Sequence, residues 1–191
     1  MHERVPAALP DRFLDIETTQ ALAPAERQVR AQLLARRGRL PAPYALLVLA
    51  PELAQAYEAC SAALHAGRLP ASVIEMVFLF EARLQQCRYL WANHVDRAVK
   101  AGLSGAVMAS LARGDTGAPA DAGPAIACAW RFARALRHEH RIADADYHGA
   151  VQCFGRGGVV ELTALCGYAA TIGMLLNVRQ PTLPQGVIVP F

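Results

Sequence analysis

The chain has 191 residues; 54% are hydrophobic, only 18% are charged, and the formal net charge is +3. That length suits one domain, and so apolar a composition excludes a disordered chain, which needs low hydrophobicity and high charge. The mild basic excess is spread along the chain and includes a single lysine, Lys100, which argues against a nucleic-acid binder.

The 38 alanines and 23 leucines favour helix. No strand network is visible, and helical periods dominate. Residues 1–23 read as an N-terminal arm, with early charges, prolines and no apolar run of the kind that makes a signal peptide. Pro24 opens a helix to about Arg37, closed by Gly38. Pro41 and Pro43 interrupt, a short helix follows near 44–50, and Pro51 starts another to about Ala66, ended by Gly67. Pro70-Ala71-Ser72 opens the next, which runs toward Gln86; another begins near Cys87 and ends at Ala101-Gly102. Ser104 caps a short helix to about Arg113. The loop 114–123 (GDTGAPADAG) either divides the chain into halves or joins two helices.

A helix from about 124 to 140 carries Trp130, Phe132 and Leu136 among arginines. Its basic run (Arg131, Arg134, Arg137, His138, His140, Arg141) reads as a solvated face, with anion binding as the alternative. Asp144 caps a helix to about Phe154, GRGG (155–158) breaks it, and a long apolar helix follows. Within it, Leu162–Val178 is 17 residues without a charge, flanked by Glu161 and Arg179. A membrane span needs about 20 mostly apolar residues, so this segment is expected to be a core or interface helix, not a membrane span. Residues 181–191 form an extended apolar tail, expected to pack on something, a neighbouring subunit included.

The apolar share exceeds the usual ~45–50%, so a sticky face, an oligomer or a membrane contact is expected. Five cysteines (60, 87, 128, 153 and 166) include no C-x-x-C pair. Reduced thiols in a cytoplasm are the simplest reading. No metal is expected, since His138 and His140 point to different helix faces and no other pair has ligand spacing.

The stretch from Pro70 to Gly102 holds the chemistry: PASVIEMVFLFEARLQQCRYLWANHVDRAVKAG. Cys87 and His94 are seven residues apart, which places them within about 20° of one helix face, with Leu90 and Trp91 between. Cys87 also sits at a helix start, where the dipole lowers a thiol pKa. A thiol, an imidazole and a nearby carboxylate, Glu75, form a possible proton relay. Two turns span about 10 Å, so a water, a substrate or a third group must lie between Cys87 and His94. Each residue also has an ordinary structural reading: Glu75 as an exposed position, Cys87 as core, His94 as a satisfied structural histidine.

This stretch resembles the carboxymuconolactone decarboxylase family, within the superfamily that includes the alkyl hydroperoxidase D proteins. The hydroperoxidase pattern is Glu, eleven residues, Cys-x-x-Cys, three residues, His; Glu75, Cys87 and His94 match it, and Leu90 stands at the second cysteine's place. The decarboxylase branch reads like CxYEWxHH. Tyr89, Trp91 and His94 fit, while Leu90 replaces the usual glutamate and Asn93 a frequent histidine. The resemblance continues through GRLPASVIEMVFL and through the closing segment with Tyr168 and Asn177, and covers roughly residues 30–180.

It implies an all-α, single-domain helical bundle of the alkyl hydroperoxidase D-like type with about eight helices over residues 24–180, assembling into trimers or hexamers. It implies a cytoplasmic, cofactor-free enzyme acting by decarboxylation or proton transfer on a small carboxylated, lactone-like substrate, with no nucleic acid and no membrane as partner. A lactone or unsaturated carbonyl in the substrate is then the electron sink. The catalytic residues are Glu75, Cys87 and His94: His94 is the general acid/base, Glu75 orients it or shares its proton, and Cys87 lines the pocket or assists. Glu81, Arg88, Tyr89, Leu90, Trp91, Asn93 and Tyr168 complete the expected pocket. Glu81 either substitutes for the missing motif glutamate or contacts Arg83, Arg88 or a neighbouring subunit; at six residues' separation it points away from Glu75's face. One alternative is a thiol-dependent peroxide reductase that uses Cys87 alone, since Leu90 removes the vicinal disulfide. Another is a non-catalytic assembly or binding protein of the same fold.

Overall fold

Proline and glycine set the helix ends. In the computed structural model, which describes residues 22–183 and 185–191, α1 spans Pro24–Arg37 and stops at Gly38, whose φ of 72° lets its N–H reach back to Leu34 O. Residues 1–21 of the expected N-terminal arm lie outside the described residues. Helices α2 (Ala42–Leu47), α3 (Pro51–His65), α4 (Ala71–Leu84) and α5 (Arg88–Lys100) follow. The Ser104 hydroxyl accepts from Val107 N–H and caps α6 (Gly105–Arg113). Then come α7 (Gly123–Arg134), a π-helical turn at Ala135–Glu139, and α8 (Asp144–Arg179). Among the described residues these are eight α-helices and no strand, an all-α bundle.

Gly155 interrupts α8 with φ 71° and ψ 170°, a backbone conformation that an L side chain rarely adopts. The 36-residue helix is therefore two segments, before and after Gly155. By length and composition α8 could cross a membrane, but 56% of its most apolar window is buried inside the protein. Leu162, Leu165, Cys166, Ala169 and Ile172 all face the core. Truncating Leu162 or Leu165, both fully buried, to alanine costs about 2–5 kcal/mol.

The centre of the bundle is α4, buried without interruption from Val73 to Ala82 and packed against α5, α6, α7 and α8. A helix apolar all round needs cover on all sides, and here it has it. The 114–123 loop joins α6 to α7, and α4 touches helices from both sides of that loop. A smaller apolar cluster of Leu22, Val29, Leu33, Tyr44, Leu47, Val48 and Ala54 knits α1 to α3. The tail packs on its own chain: Val189 is buried, the Phe191 ring meets Trp91 edge-on at 5.3 Å, and the Arg83 guanidinium lies 5.1 Å from its centroid.

Candidate functional site

Helices α4 and α5 form a tight hairpin joined by Gln85, Gln86 and Cys87. Gln86 takes a positive φ of 54°, and Asn177 of α8 donates to Gln85 O at 3.0 Å. Gly173 leaves the room for that approach, since a Cβ there would stand 2.9 Å from the Gln85 side chain. At about 1.5 Å rise per residue, Glu75 and His94 lie within one helical turn of each other in height above the turn, on facing helices.

Their side chains meet. His94 Nδ1 is 2.7 Å from Glu75 Oε2, and both residues are buried. The imidazole also stacks on Phe78, with centroids 4.1 Å apart. Burial pushes the His94 pKa below its ordinary value; the Glu75 hydrogen bond and charge pull the other way, and Arg97 and His65 add to the lowering. The ring is therefore neutral at pH 7. With Nδ1–H donating to the carboxylate, Nε2 is left with a lone pair, the form a general base needs.

His94 borders a cavity of about 260 Å3, as do Tyr89, Leu90, Asn93 and Tyr168 from the expected pocket. Helices α1 and α2 and the link between them supply a wall that sequence reasoning missed. There Arg37 donates to Glu58 at 2.7 Å, to Ser61 Oγ at 3.1 Å and to Tyr44 OH at 3.4 Å. Tyr44 OH lies 3.2 Å from Tyr168 OH. Burial and the Tyr168 hydrogen bond raise the Tyr44 phenol above its ordinary range, so it stays protonated. Arg39 and Arg97 also border the cavity, both exposed, and among the described residues neither has an ion-pair partner. No local pattern marked these residues; only the packing of α1 onto α3 and of α2 onto α8 brings them here.

The other expected site residues lie elsewhere. Cys87 is 1% exposed and does not border the cavity. Although it N-caps α5, burial raises its thiol to about 11; backbone hydrogen bonds from Leu90 and Tyr89 only moderate that rise. The dipole effect expected from its position is outweighed by desolvation. Glu81 points to the opposite side of α4, fully buried, where Arg137 Nε donates to Oε1 at 2.7 Å and Gln85 to Oε2 at 3.1 Å. It does not replace the motif glutamate at the cavity, and its partner is neither Arg83 nor Arg88. Burial raises its carboxyl pKa against the opposing pull of Arg137. Arg137 thus leaves the basic face expected to be solvated, whereas Arg131 and Arg134 pair at the surface with Asp146 and Glu139. Arg88 is exposed, Trp91 packs on Phe191, and neither borders the cavity.

The arrangement offers a buried base held by a carboxylate, the Tyr44 and Tyr168 hydroxyls on the same cavity, and guanidinium groups at the rim. No group of three metal-ligating side chains occurs among the described residues. No protein-family model matches the chain, and no curated protein matches it.

Proposed function

We propose that the His94 cavity is the active site of a cofactor-free enzyme that decarboxylates, or moves a proton on, a small carboxylated, lactone-like substrate, in the manner of the carboxymuconolactone decarboxylase family. The observation that carries this reading is the buried Glu75–His94 pair, with its ring bordering a cavity of about 260 Å3. Arg39 and Arg97 would draw the carboxylate to the mouth by charge. In decarboxylation the electrons of the breaking C–C bond pass to the substrate's own carbonyl as CO2 leaves. His94 Nε2 then relays a proton from water to the resulting carbon. Phenol and guanidinium donors lower the energy of the transient oxyanion.

The buried, protonated Cys87 thiol weighs against the peroxide-reductase alternative, since the thiolate is the nucleophile. The meeting of Glu75 and His94 beside a cavity weighs against a chain that has lost its chemistry. The proposal includes self-association in the cytoplasm. Its support is the outer face of α8, where Val160, Ala164, Gly167, Thr171, Met174 and Val178 recur at helical spacing and reach solvent to differing extents, with Val160 at 69% exposure. A second copy would cover this seam.

The test is turnover of a panel of carboxylated γ- and δ-lactones and β-keto acids, followed by CO2 release and by deuterium uptake from D2O. Wild-type turnover with loss of about 10²–10⁴-fold in His94→Ala is expected. Turnover unchanged in that variant would sink the assignment.

A further inference from the structure

On the other side of α4 lies a second cavity, of about 320 Å3. Phe78 borders the first and Phe80 the second, two residues apart and so on opposing faces of the helix. Phe80, Leu84, Leu111 and Trp130 make the second cavity apolar. Trp130 is 1% exposed, and its indole Nε1–H has no hydrogen-bond partner among the described residues. Native interiors leave few such donors unmade, because desolvating one without replacing its water is costly.

Arg134 at the end of α7 and His138 in the π-helical turn that continues it border the same space. In a continuous α-helix, positions 130, 134 and 138 drift around the axis. The π-helical turn at Ala135–Glu139 advances less per residue, and both Arg134 and His138 line the cavity. The His138 ring stands edge-on to Phe80 at 6.4 Å. The other charged groups here are committed: Arg83 Nε donates to Ala112 O at 2.8 Å, and Asp115 is paired with Arg113 at 2.6 Å. Among the described residues Arg134 is bonded to the half-exposed Glu139 at 2.8 Å.

The geometry points to a binding site for a small carboxylate with an apolar body, separate from the His94 cavity. The body lies against Phe80, Leu84 and Leu111. The oxygens accept from Trp130 Nε1–H at depth and from Arg134 and His138 nearer the mouth. The cavity's size falls at the lower end of small-molecule sites, about 300–1,000 Å3, which limits the ligand to one or two rings or a short chain.

Calorimetric titration of the full chain with 2-naphthoate tests this, with 2-naphthamide as the uncharged twin. Naphthoate is expected to bind the wild type and His94→Ala alike, and at least tenfold more weakly to Arg134→Gln and Trp130→Phe. The amide is expected to bind at least tenfold more weakly than naphthoate. No heat at millimolar naphthoate overturns the proposal. So does binding lost in His94→Ala but kept in Arg134→Gln, which places the ligand in the first cavity. Equal affinity for the amide overturns the assignment of an anion. If Trp130→Phe does not fold, as judged by its melting curve, Arg134→Gln decides alone.

Discussion

His94 Nδ1 and Glu75 Oε2, nineteen residues apart in the chain, face each other at 2.7 Å across the α4–α5 hairpin. The carboxylate holds the ring in one tautomer and one orientation, so its loss frees both. Glu75→Gln is isosteric yet presents no carboxylate to Nδ1–H. Turnover is expected to fall about 10²-fold or more, within the ~10²–10⁴-fold that a positioned acid/base supplies. A kcat equal to wild type in steady-state kinetics would remove Glu75 from the mechanism.

Burial lowers the His94 pKa from its ordinary 6.5. The unfolded chain therefore takes up a proton near pH 6.5, while the folded chain resists until lower pH. In that window the unfolded state binds more protons, so stability falls as the pH falls. The melting temperature of the wild type should drop relative to that of His94→Gln between pH 7 and pH 5. Parallel curves for the two proteins, by circular dichroism, would refute this.

Cys60 and Cys153 are exposed, whereas Cys87, Cys128 and Cys166 are buried, with their thiols raised to about 11, about 11 and about 12 by desolvation. A disulfide reagent at pH 8 should modify two thiols quickly in the native protein and three more after denaturation. Rapid modification of Cys87, located by peptide mapping, would revive a thiol-based chemistry.

Among the described residues, Arg137 is the only guanidinium bonded to the fully buried Glu81. Arg137→Met strands that carboxylate, at a cost of about 3–5 kcal/mol, the usual loss when one partner of a buried pair is removed. The double variant Glu81→Met with Arg137→Met should recover most of it. Urea unfolding of the three proteins measures this, and additive losses in the double variant would show that the pair is not coupled.

Met174 is 54% exposed on the outer seam of α8. Met174→Glu should dissociate the proposed oligomer while leaving the helix content unchanged. Sedimentation of wild type and variant at equal mass would count against self-association through this seam.

Much of the architecture was legible because it depends on local chemistry. Pro24, Gly38, Pro51, Ser104 and Gly155 each act within a few residues, through a fixed φ, a permitted positive φ or a cap. Glu75 and His94 could be singled out because both stand on one short hairpin. The remainder depends on distance in the chain. Arg137 reaches Glu81 across 56 residues and Tyr44 reaches Tyr168 across 124, and no local pattern encodes either pairing. Cys87 shows the same limit in electrostatic terms: its place at a helix start is written in the sequence, but the burial that dominates its thiol is not.

The uninterrupted burial of Val73–Ala82 bears on how this chain can change over evolutionary time. Most helices keep one wet face, on which substitutions drift almost freely. This one has Glu75 turned toward His94, Phe78 toward one cavity, Phe80 toward the other and Glu81 toward Arg137, with close-packed apolar neighbours between. A substitution here that improves one side is felt on the other. Variation among descendants of this sequence should therefore collect on the exposed faces of α1 and α3, while α4 changes only in concert with the helices that enclose it.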